Sequence, residues 1–101
     1  MSEAIRFSAE VETVFIEEGF DPAYFVTLPG EAAALVTEHR LATGKRGGFG
    51  SIRASVRIGE SKWETTLNVK DSVWTLPIKK PIRLAEGLEQ GAVIDLAMTL
   101  S

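Results

Sequence analysis

Two facing alternations limit what this chain can fold into. Residues 51–58, SIRASVRI, send Ile52, Ala54, Val56 and Ile58 to one side and Arg53, Ser55 and Arg57 to the other. Residues 62–69, KWETTLNV, answer with Trp63, Thr65, Leu67 and Val69 opposed to Lys62, Glu64, Thr66 and Asn68. Side chains alternate along a strand, so each run has one dry face and one wet face. The two dry faces coincide only if the loop between the runs has an even length. A two-residue loop at Gly59 and Glu60 sets Arg57 against Lys62; a four-residue loop sets Arg57 against Glu64 and Ile58 against Trp63. Cross-strand pairs of opposite charge contribute about 0.2–1 kcal/mol, which favours the four-residue loop.

The rest of the chain supplies cover for this hairpin. Residues 5–16, IRFSAEVETVFI, alternate Ile5, Phe7, Ala9, Val11, Thr13 and Phe15 against Arg6, Ser8, Glu10 and Glu12, and predict one long strand. Gly19, Asp21 and Pro22 turn the chain, and YFVTL is a short strand. Pro29 and Glu31 open a short helix over EAAALVTEHR with Ala32, Leu35, Val36 and His39 along one side. After the hairpin, VWTLPIK is a strand that Pro77 confines to an edge or a bulge. Pro81 begins a second short helix with Ile82, Ala85 and Leu88 inward, Gly87 stops it, and AVIDLAMTL is the last strand. The elements read ββαβ twice, and Thr27-Leu28-Pro29 is echoed by Thr75-Leu76-Pro77. Two half-buried units that cover each other leave few free edges. The expected fold is mainly β: a single domain over residues 1–101, built as a small closed barrel of about six strands with two short helices.

The net charge of −3 hides a segregation: residues 1–38 carry eight acids against Arg6 alone, whereas residues 39–59 carry five cations and no acid. An anionic partner suits such a basic island, although folding it onto the acidic segment is the simpler account. The absence of cysteine excludes disulfides, thiolate metal sites and thiol catalysis. It suits a reducing cytoplasm, and an acidic, alternating start with no long apolar run adds to the expectation of a cytosolic protein with no membrane partner.

Known catalytic templates find no match. GKRGGFGS lacks the spacing of a nucleotide P-loop and of a dinucleotide fingerprint, and it joins a helix to a strand. It reads as a loop needing positive φ, with anion binding by Lys45 and Arg46 as the rival account. His39 is the only histidine and suits packing or capping better than general-base work. No carboxylate spacing marks a metal site, no Gly-x-Ser-x-Gly elbow occurs, and no cofactor is expected. Trp63 and Trp74 share parity with apolar neighbours and are expected in the core; inward Thr65 needs a hydrogen-bond partner.

Several short motifs give the chain a family likeness. Arg46, Gly47, Phe49 and Gly50, then Ile58-Gly59, Trp63 with Thr65, and Leu76, Pro77, Lys79 and Arg83 resemble the bacterial domain-of-unknown-function family DUF1905 from about Phe7 to Leu100. Asn68-Val69 and Gly91-Ala92 depart from the Phe-Pro and Gly-Asp that many relatives carry. The resemblance implies a double-split β-barrel like that of transition-state regulators and antitoxins, and it implies no activity. The expected function is a monomeric, non-enzymatic binding module recognising a small anion or a partner protein. Its candidate surface is Lys45, Arg46, Phe49, Arg53, Arg57, Thr65 and Lys79. Two rivals are nucleic-acid binding by fold analogy, which the acidic pI of about 5.1 disfavours, and an enzyme built around inward polar groups such as Thr65 and Lys79.

Overall fold

The computed structural model describes residues 4–15, 19, 21–43 and 52–100. Its elements are β1 (Ile5–Glu10), β2 (Glu12–Val14), β3 (Ala23–Thr27), α1 (Gly30–Thr43), β4 (Ile52–Ile58), β5 (Ser61–Lys70), β6 (Val73–Ile78), α2 (Lys80–Glu86) and β7 (Val93–Leu100). The strands form one antiparallel sheet in the order β1-β7-β4-β5-β6-β3-β2, curled into a half-barrel. Its dry side holds Ile52, Val56, Leu67, Leu76, Met98 and their neighbours.

Two runs change partner along their length. β5 pairs with β4 from Ser61 to Leu67 and with β6 from Asn68 to Lys70. β1 pairs with β7, and after the single residue Val11 the chain continues as β2 and pairs with β3. Val11 is 1% exposed; its N–H donates to the Ala92 carbonyl and its own carbonyl accepts from Gly91, both at 2.8 Å. The remaining ladders join the two halves, β3 to β6 and β4 to β7. The pairing pattern repeats, with the first run and β5 in equivalent places, although the element order is βββαβ followed by ββαβ.

Several expectations are corrected. The strand expected over residues 5–16 is cut at Val11 and ends at Val14, so seven strands replace six. The last β2 pair is Val14 with Ala23, and Phe15, beyond it, is 74% exposed rather than inward. The hairpin takes the two-residue loop: Arg57 faces Lys62, Val56 faces Trp63, and Ile58 faces Ser61. Gly59 at φ +57° supplies the positive φ that a two-residue loop demands. Arg57 and Lys62 are both exposed, so solvent screens their repulsion. The tip also docks on α2, where Ser61 Oγ donates to Glu86 Oε2 at 2.6 Å.

The helices bury less than their sequences suggest. α1 runs on to Thr43, so His39 is not at its end, and it buries Ala32 and Val36 while Leu35 is 47% exposed. Small residues four apart make a narrow stripe that lets the helix lie close to the sheet. Trp74 fastens α1 by donating its indole N–H to Thr37 Oγ1 at 3.0 Å. α2 buries none of its own residues: Ile82 is half-buried, Ala85 is exposed, and the inward residue is Leu88, just past the helix. Gly87, at φ +63°, ends α2 as expected, and Leu88 N–H donates to the Arg83 carbonyl at 2.9 Å. Pro77 faces Phe25 of β3 beyond the last β5–β6 pair, in a stretch of β6 that is paired on one side only.

The β5–β6 turn carries Asp71 at φ +51° and Ser72 at φ +66°, left-handed conformations that cost a non-glycine residue about 1–2 kcal/mol each. Asn-Gly is the pair such a loop prefers. The double change Asp71→Asn with Ser72→Gly is therefore expected to stabilise the fold by about 1 kcal/mol, after the added unfolded-state entropy of glycine. A thermal melt would then rise by roughly 4–8 °C. An unchanged or lower midpoint would mean that this turn is already unstrained.

Candidate anion-binding face

Strand register builds a row of cations on the wet side of the sheet. Arg6 of β1 stands opposite Ala97 of β7, Ala97 opposite Arg57 of β4, and Arg57 opposite Lys62 of β5. Neighbouring strands lie about 4.7–4.9 Å apart, so the Arg6 and Arg57 backbones are roughly 10 Å apart across Ala97. The methyl of Ala97 leaves the space between the two guanidinium arms open. Arg6, Arg57 and Lys62 are exposed, and none is joined by a hydrogen bond or ion pair to another described residue. In the adjoining row Ser8 faces Asp95, and Ser8 Oγ donates to Asp95 Oδ1. A groove of about 560 Å³ covers both rows, bordered by Arg6, Ser8, Arg57, Gly59, Asp95 and Ala97. Arrays of this kind grip oxyanions, because guanidinium groups present planar forks of N–H donors.

The candidate residues from the sequence are distributed unevenly. Lys45, Arg46 and Phe49 lie outside the described residues. Arg57 belongs to the row. Arg53 shares its face of β4 but sits 3.9 Å from Glu64, a diagonal pair whose side chains are 62% and 70% exposed and which therefore contributes little. Thr65 points inward and is 7% exposed. Lys79 is exposed at the N-cap of α2, after β6, so it is neither inward nor on the strands that carry Arg53 and Arg57. Beside it Lys80 donates to Asp21 at 2.9 Å, and that hydrogen bond and the Lys80 charge hold the Asp21 carboxyl below the usual carboxylate range. The Arg83 guanidinium lies 4.2 Å from the centre of the Tyr24 ring, tying α2 to β3.

Both tryptophans are core residues, Trp63 at 8% and Trp74 at 2% exposure. The Trp63 indole N–H is buried with no acceptor among the described residues, at a cost of about 1–3 kcal/mol. Sequence reasoning missed Arg6, Ser8, Asp95 and Ala97 as members of one face. The available signal was Arg6, the sole cation of residues 1–38, on the wet side of its strand. Only the pairing of β1 with β7 carries it to Arg57.

Among the described residues no group of three His, Cys, Asp or Glu side chains is placed to hold a metal ion. No described helix is long and apolar enough to cross a membrane. A family model described as Domain of unknown function (DUF1905) matches residues 7–98. No curated protein matches the chain.

Proposed function

The chain belongs to the DUF1905 family, and from that premise we propose that it is a non-enzymatic binding module that takes an anionic group on the outer face of β1, β7 and β4. The observation that supports this is the row Arg6, Ala97, Arg57, Lys62, in which two arginines flank a small residue, a lysine stands next to them, and none of the three cations has a partner among the described residues. A ligand oxyanion would receive charge-assisted hydrogen bonds from both guanidinium groups. The same reading takes the partner switches at Val11 and Leu67 as the seams of a double-split barrel, which keeps the cationic face outside. It takes the protein as a cytosolic monomer. A small ligand fits better than nucleic acid, because a polyanionic backbone would meet a net charge of −3.

Titration of isotope-labelled protein with inorganic phosphate, followed by amide NMR shifts, tests the proposal. Shifts are expected around Arg6, Ala97 and Arg57. Arg6→Gln and Arg57→Gln should each weaken binding by roughly 2- to 5-fold, the range of an exposed charge contact. Lys79→Gln should bind as the parent does, and melting temperatures should change little. Shifts centred elsewhere, or unchanged affinity in both arginine variants, would overturn the proposal.

A further inference from the structure

The groove that holds the cations also holds a carboxylate, and recognition of a bare anion does not require one. Asp95 leaves β7 on the same face as Ala97, one row along, a spacing of about 6.6–6.8 Å. Ser8 occupies Oδ1, and no described residue donates to Oδ2. At the Gly59 border a second carboxylate stands close: Glu86 Oε1 would meet a Cβ placed on Gly59, and Ser61 donates to its other oxygen. Asp95 in the groove and Glu86 at its Gly59 edge thus offset part of the charge of Arg6, Arg57 and Lys62. A bare anion gains from the cations and is repelled by the carboxylates.

A ligand that gains from both rows must carry an oxyanion at one end and hydrogen-bond donors several bonds away. An ionised carboxylate only accepts, so Asp95 asks for O–H or N–H groups at that distance. A second cation on the ligand is unnecessary, because hydroxyl groups donate to a carboxylate with charge-assisted strength. Resting on the anion-binding reading above, we propose that the ligand is a phosphorylated polyol of sugar size. Its phosphate lies between Arg6 and Arg57, its carbon skeleton passes over the Ala97 methyl, and its hydroxyls donate to Asp95. A groove of about 560 Å³ is within the usual range for ligands of that size.

The test compares inorganic phosphate, ribose and ribose 5-phosphate on the full chain by calorimetry or NMR titration, with thermal melts to confirm folding. In the parent protein ribose 5-phosphate should bind roughly 10-fold tighter than phosphate, and ribose alone should bind weakest. Asp95→Ala should act in opposite directions: ribose 5-phosphate weakens several-fold while phosphate tightens, because an acceptor and a repelling charge leave together. Ser8→Ala, which keeps the carboxylate, should preserve the preference for the sugar phosphate. Equal affinities for phosphate and ribose 5-phosphate in the parent, with phosphate still bound through Arg6 and Arg57, would overturn this inference and leave the anion-binding reading standing. No binding of either phosphate would overturn both. A uniform loss for both ligands in Asp95→Ala would assign that residue to the support of β1 on β7 and likewise overturn the inference.

Discussion

Leu67→Ala is expected to remove about 2–5 kcal/mol of unfolding free energy, a large share of what a domain of this size possesses. Leu67 is 0% exposed and faces Ile52 in the last pair before β5 leaves β4 for β6. Two ladders diverge at that point. Truncation there costs the transfer of the lost methyl groups and adds a cavity that the diverging strands are poorly placed to close. Val11, in the equivalent place on the first run, should respond in the same sense to Val11→Ala, by less because fewer atoms are deleted. Leu84→Ala serves as the control: Leu84 is 63% exposed, and its truncation should stay within about 0.5 kcal/mol. Urea unfolding measures all three. A loss below about 1 kcal/mol for Leu67→Ala would mean that the core does not close over the partner switch.

Gly59→Ala should cost about 2–3 kcal/mol, for two separable reasons. An alanine at φ +57° pays about 1–2 kcal/mol for the left-handed conformation. Its methyl group also meets the Glu86 carboxylate, so that side chain must swing away and the Ser61 hydrogen bond is lost, about 1 kcal/mol more. In a Glu86→Ala background only the backbone contribution remains, so the double-mutant cycle should show coupling of about 1 kcal/mol. Zero coupling would show that Glu86 relaxes freely and that the hairpin tip is not braced by α2.

The same hairpin shows how far the sequence could be read. Its alternation names the inward residues Ile52, Ala54, Val56, Ile58, Trp63, Thr65, Leu67 and Val69, and all are buried except Val69, which is half-buried. Its loop length was chosen from pair energies between exposed side chains, a weak signal. The deciding interactions were the positive φ of Gly59 and the hydrogen bond from Ser61 to Glu86, 25 residues further along the chain. α1 shows the reverse weakness. Leu35 is as apolar as its neighbours, yet the sheet offers room only for the Ala32 and Val36 stripe, and nothing in the helix itself announces which stripe that is. Arg57 was legible as a wet-face cation, whereas its partnership with Arg6 was not, because the two residues are brought together through β7 at the far end of the chain.

By itself the sequence determined the wet and dry faces of β4 and β5, the order of strands and helices from β4 onward, the stop at Gly87, and the absence of cysteine. These follow from local periodicity, from single-residue backbone preferences and from composition, and no distant contact is needed to impose them. Only the tertiary structure decided the break at Val11, the hairpin register, the buried stripe of α1 and the assembly of Arg6, Arg57, Ser8 and Asp95 on one face. Each of those depends on which strand lies beside which, a choice made by the closing of the whole core over residues far apart in the chain.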